Sequence, residues 1–138
     1  MDPAIFRRRL KRAKRGSAPG PTGLRADHLH LFLSSPDHLE RLLRVSEELG
    51  NGGLRELAHH LALSSLTPLS KGGNAVRPLA LPDGLRRLLA STICEQVKDE
   101  FAEALDPLSV AVGVPAAAEV VAKAVQAHSE QHPGWTYA

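Results

Sequence analysis

Cysteine is almost absent, with Cys94 the single example in 138 residues. No disulfide can close within the chain, which fits a reducing compartment. Aromatic residues are nearly as scarce, at 4%. That disfavours a β-sandwich and favours helices packed through Leu and Ala. No apolar run approaches the ~18 residues of a membrane-spanning helix, so no membrane partner is expected. The N-terminal cations are followed by no apolar stretch, which excludes a secretory signal. No Gly-x-x-x-x-Gly-Lys-Ser/Thr loop is present, which excludes P-loop chemistry. Seven histidines offer little to a metal. His28 and His30 are two apart and His59 and His60 are adjacent, whereas two ligands on one helical face need i, i+4 spacing. Ser64, Ser65 and Cys94 have no recognisable base partner, so nucleophilic catalysis has no support. Cys94 is expected on the apolar side of a helix, as an inert buried thiol.

What is present is a modest core and an uneven charge. The apolar fraction is 43%, enough for one domain or a piece of one. The formal charge of +2 conceals an asymmetry. Arg7, Arg8, Arg9, Lys11, Arg12, Lys14 and Arg15 place seven cations in nine positions. From Gly16 onward ten cations face fourteen acids, a net charge of −4. Such a block meets nucleic-acid backbone or serves as a nuclear address. A solvated helix end accounts for it equally well.

Periodicity and punctuation give a mainly α chain with one small β-hairpin, an α+β fold. Asp2-Pro3 caps a helix expected to run through the basic block to Gly16, with Ala4, Ile5 and Leu10 as a thin apolar stripe. Residues 16–23 form a loop. A helix is expected over 24–33, with Leu24, His28, Leu31 and Phe32 near one face. Ser35-Pro36 starts another that ends at Gly50, with Leu39, Leu42, Leu43 and Val45 inward. A short helix follows over 54–63. Asp83 caps the longest helix, in which Leu85, Leu88, Leu89, Ile93, Val97, Phe101 and Leu105 recur at three and four residues. Asp99, Glu100 and Glu103 fall on its outer face. A helix starting near Pro115 carries Val120, Val121, Ala124 and Val125. Trp135 to Ala138 has strand character.

Between Ser64 and Leu81 lies the hairpin. Lys71-Gly72-Gly73-Asn74 forms its turn and Arg77-Pro78-Leu79 its return strand. Pro68 and Pro78 confine these strands to a short ladder or an edge. A turn-linked strand pair can aim two cations at one anion. Lys offers a compact charge and Arg a planar fork suited to phosphate oxygens. Arg86 and Arg87 follow on the next helix, so four cations fall within seventeen residues. Turn solubility is the simpler purpose for Lys71 and Arg77. The polar start of an amphipathic helix is the simpler one for Arg86 and Arg87.

Three segments carry a resemblance to a known family. The first is Lys71-Gly72-Gly73, Arg77-Pro78-Leu79 and then Leu85-Arg86-Arg87-Leu88-Leu89. The second is Pro19-Gly20-Pro21-Thr22-Gly23 upstream. The third is Val112-Gly113-Val114-Pro115-Ala116-Ala117-Ala118-Glu119 downstream. In this order, over about a hundred residues, they resemble the fingers of reverse transcriptases, RNA-directed DNA polymerases, of the non-LTR retrotransposon type. The resemblance implies a right-hand polymerase whose fingers occupy 16–138, ending in the start of a palm strand, after a basic helix at 1–15. It implies that Lys71 and Arg77 contact the phosphates of an incoming dNTP. It assigns Gly20, Gly23, Arg86 and Arg87 to an RNA template or RNA–DNA hybrid. The basic block would follow the nucleic-acid backbone, and family and block together imply a nucleus.

The same resemblance marks what these residues do not supply. The family's reaction uses two Mg2+ ions held by palm aspartates about 4 Å apart, and those aspartates would lie beyond Ala138. The expectation is therefore a fingers fragment with no catalytic competence of its own. Ser109-Val110-Ala111 stands where the family tends to have Gln-Phe-Gly, and Ala116-Ala117 where it tends to have Gly-Gly. Those alanines add Cβ atoms where positive φ or close approach is needed. Two other readings stay open. One is a helical protein-interaction module, whose Leu-rich faces bury against a partner protein; on the fingers reading the same faces would meet a palm domain or, without it, a second copy. The other is a retroelement remnant without function.

Overall fold

The structure is a computed structural model and describes residues 1–73, 75–106 and 115–135. Its order is α1 (Pro3–Arg12), α2 (Ala26–His30), a 3-10 turn (Leu31–Ser34), α3 (Pro36–Gly50), α4 (Arg55–Ala62), β1 (Ser64–Ser70), β2 (Val76–Pro82), α5 (Gly84–Leu105) and α6 (Ala117–Gln131). The mainly helical chain with one antiparallel hairpin is the α+β class that the sequence implies. Two compact units divide within α5, Met1–Gln96 and Val97–Ala138.

The first unit holds the core, built from Phe6, Leu10, Leu29, Leu42, Leu49, Leu61, Leu85 and Leu88. Asp2 starts α1 by accepting from the backbone N–H groups of Ala4 (2.7 Å) and Ile5 (3.0 Å). Pro3 stands in the first turn, where no N–H is needed. The basic helix was expected to reach Gly16, yet α1 ends at Arg12. Its end is closed by His30, whose Nε2 donates to Leu10 O at 2.8 Å. Lys14 and Arg15 therefore lie in the following loop. Phe6, missing from the expected stripe, is fully buried with Leu10. Burying a Phe side chain contributes about 2–3 kcal/mol, so α1 is a core element despite its charge.

Two expected faces are shifted in phase. Leu24 and Phe32 do pack on the core, but Leu29 is buried while Leu31 is 70% exposed and His28 is exposed. The helix begins later, at Ala26, and tightens to a 3-10 turn at Leu31, which removes the 3.6-residue period. In α3, Leu42 and Leu49 are buried and Val45 is exposed. Ser46 takes the inward place and returns its hydroxyl to Leu42 O at 2.8 Å.

In α5 the apolar period outlasts the core. Leu85, Leu88 and Thr92 are buried, whereas Ile93 and Phe101 are exposed. Cys94, expected to be buried, is exposed. It stands two residues past Thr92, about 200° around a helix of 3.6 residues per turn. In the second unit α6 buries no residue, and Val120, Val121 and Val125 are exposed. Ala116, at its N-cap, has φ +56°. The strand expected from Trp135 lies, past Trp135 itself, outside the described residues, as do 107–114 of the third family-like segment.

Candidate nucleic-acid interface

The hairpin pairs Ser64 with Pro82 through to Ser70 with Val76. Pro68 lies opposite Pro78. Neither has an N–H, so their rung must be one of the non-hydrogen-bonded pairs of the ladder. The Lys71 N–H, which donates to Ala75 O at 3.0 Å, fits that parity and prolongs the ladder by one rung. The same prolines remove outward-facing donors from both edges, which blunts pairing with a further strand. Each strand is seven residues long, and in a two-stranded sheet each is an edge. Gly72 and Gly73 take φ +94° and +57°, the left-handed backbone that a reversing turn requires.

Residues paired across the ladder share a face. Leu69 and Arg77 are opposite one another, and Lys71 lies two residues beyond Leu69. The two cations therefore stand diagonally on one face, a separation of roughly 7–8 Å between backbones. Both are exposed. Among the described residues neither side chain enters an ion pair or hydrogen bond. Leu66, Leu69, Val76 and Leu79 are also exposed, so the distal hairpin is wet on both faces.

The second family-like segment packs on the root of this hairpin. Gly20 to Gly23 is a turn closed by the Gly23 N–H on Gly20 O at 3.1 Å, with Gly23 at φ +77°. A Cβ on Gly20 would lie 2.5 Å from the Asp83 backbone nitrogen, and one on Gly84 would lie 2.8 Å from Leu24 O. The two backbones meet because both residues are glycine. Asp83 is fully buried at the junction. Its Oδ1 accepts from the Leu85 N–H at 2.9 Å, starting α5, and its Oδ2 accepts from the Thr22 hydroxyl. Gly20 is thus buried against the hairpin root, while Gly23 has open space around its Cα.

Arg86 and Arg87 hold this junction. Arg86 Nη1 donates to Ala62 O at 2.8 Å and Arg87 Nη2 donates to Ala18 O at 2.9 Å. Each uses one donor of its fork on a backbone carbonyl, and the remaining donors stay available. The basic block is divided as well. Arg8 Nε donates to Glu95 Oε1 at 3.1 Å, and Arg9 pairs with the other oxygen of Glu95. The Arg8 hydrogen bond holds the Glu95 carboxyl below its ordinary value of 4.5, against the opposing effect of burial. Arg7, Lys11, Arg12, Lys14 and Arg15 are exposed and form no ion pair among the described residues.

Sequence reasoning missed the clamp of Glu95 on Arg8 and Arg9, for which an 87-residue separation left no local signal. It also missed His128 and His132, whose i, i+4 spacing was legible. Their ring centroids are 4.5 Å apart, and His132 stacks on Trp135 at 4.6 Å. Among the described residues no three His, Cys, Asp or Glu side chains converge to hold a metal ion. No step through magnesium is therefore assigned to them. Among the described residues no helix is long and apolar enough to cross a membrane. Comparison with protein-family models, curated proteins and solved structures gives no match.

Proposed function

We propose that this chain is a fingers segment of a reverse transcriptase-like polymerase, which binds template and nucleotide phosphates and leaves the chemistry to a palm domain. The observation that supports it most is the projecting hairpin, with Lys71 and Arg77 on one face and unpaired among the described residues. Two cations that rise from backbones at that spacing can both reach the oxygens of a triphosphate. The packing of Gly20 against Asp83, and of Gly84 against Leu24, supports it too, because it brings the stretches that hold two of the three family-like segments into contact. On this reading Gly23 presents an open turn to template, and the remaining donors of Arg86 and Arg87 contribute further contacts to it. The chain alone has no polymerase activity, because palm aspartates would have to carry the two metal ions.

The test is the double charge reversal Lys71→Glu/Arg77→Glu, read by binding of a fluorescent dNTP and of a primed RNA template. Both side chains are exposed, so the fold should stay intact by circular dichroism. Loss of both affinities supports the reading, and unchanged affinity counts against it. A second reading is favoured by Leu66, Leu69, Val76 and Leu79. Four exposed apolar residues on one hairpin suit a protein-interaction module, which would have no nucleotide affinity to lose.

A further inference from the structure

A concavity of about 250 Å³ lies between α1, the loop that follows it and the start of α5. Four cations line it: Arg9, Arg12, Lys14 and Arg87. Three come from one short stretch, the end of α1 and the loop after it, and Arg87 joins them from α5. Two of them are fixed before any ligand arrives, Arg9 by Glu95 and Arg87 by Ala18 O. Arg12 and Lys14 are exposed and have no partner among the described residues, so they are free to close over an anion. The floor includes Leu29 and Leu88, both buried. An apolar floor lowers the local dielectric and strengthens attraction between the cations and a charge held there. Among the described residues no carboxylate lines the concavity; Glu95, the partner of Arg9, is not in its lining.

We propose that this concavity is a subsite for one backbone phosphate of a nucleic-acid strand. The proposal rests on the fingers reading for its choice of strand over free anion, and it extends that reading to a place away from the hairpin. The volume lies below the ~300–1,000 Å³ of sites that enclose drug-sized ligands, which suits a phosphate and part of its sugar. Preorganised guanidiniums lose less entropy on binding than free ones, and their planar forks match phosphate oxygens. Arg7 and Lys11, on the same helix, do not line the concavity. The site is therefore a selected subset of the basic block.

The experiment is fluorescence anisotropy of the full chain with a labelled short single-stranded RNA, across a salt series. Arg12→Gln/Lys14→Gln is compared with Arg7→Gln/Lys11→Gln, which removes equal charge, and with Lys71→Gln/Arg77→Gln. Neutralising the subsite should reduce the magnitude of the slope of log K against log salt by about 0.7, the contribution of one single-strand phosphate contact. The equal-charge control should move it less. Ser17→Asp places a carboxylate in the wall and should also weaken binding, giving a second arm on a loop position. Equal losses from the two α1 variants would mean a diffuse basic segment and overturn the subsite. Displacement of the RNA by inorganic phosphate or an acidic peptide at matched charge would overturn the assignment to a strand. An unaffected subsite variant beside a weakened hairpin variant would sink the subsite and leave the fingers reading standing. The converse would sink that reading's hairpin and keep the subsite. No RNA binding by the unaltered chain would overturn both.

Discussion

Gly20 owes its identity to contact. The nearest Asp83 atom would stand 2.5 Å from its Cβ, and the atom is backbone, so it cannot rotate away. Gly20→Ala should cost about 2 kcal/mol or more, as overpacking against an unyielding wall does, read as a lowered urea midpoint. A midpoint within error of the parent would contradict the packing described. Glu95 gives a titration test. Arg8 and Arg9 lower its folded pKa below 4.5. A depressed carboxylate contributes stability that is present above the unfolded value and lost as pH falls through the folded one. Asp2 and Asp27 are lowered as well, by backbone N–H groups of Ile5 and Ala4 and of Gly16. Stability should therefore fall on acidification below about pH 4.5, and Glu95→Gln should flatten part of that fall. An identical pH profile for the variant would contradict the clamp.

Among the elements, the hairpin was the most legible. Its turn glycines and flanking apolar residues placed a hairpin between Ser64 and Leu81, where β1 and β2 pair, whereas the register became visible only in the ladder, with Pro68 opposite Pro78. Helix α3 was legible from Ser35-Pro36 at its start and Gly50 at its end. The failures share a cause, since periodicity reports which face of a helix is apolar and not how far the core extends along it. In α5 the Leu and Val pattern continues to Leu105, but burial stops at Thr92, which leaves Ile93 and Phe101 exposed. In α1, with five cations in ten residues, the helix was legible but its anchor Phe6 was not. The alanines at 116 and 117 show the reverse. Their departure from the family pattern pointed to a backbone problem, and Ala116 is the one non-glycine with positive φ among the described residues. A left-handed residue with a Cβ costs roughly 1–2 kcal/mol, offset in part by the unfolded-state entropy of glycine, about 0.4–1 kcal/mol. Ala116→Gly should therefore stabilise α6 by about 0.5–1 kcal/mol, seen as slower amide exchange in α6. Faster exchange would contradict that conformation.

At the scale of the whole molecule, charge and core are distributed differently. The buried apolar cluster lies entirely within Met1–Gln96. The hairpin projects cations from one part of that unit, and the α1–α5 concavity gathers more in another. The site was legible as residue types and only partly as roles. Among the described residues Lys71 and Arg77 have no side-chain partner, whereas Arg8, Arg9, Arg86 and Arg87 have partners from distant sequence that no local pattern reveals. The central claim is that this chain binds nucleic acid through phosphates, with the hairpin taking part. The most direct test is anisotropy of a short RNA–DNA hybrid titrated with the chain over a range of salt. The account expects log affinity to fall linearly with log salt and to drop further for Lys71→Glu/Arg77→Glu. Binding that ignores salt, or survives the hairpin reversal unchanged, would contradict it.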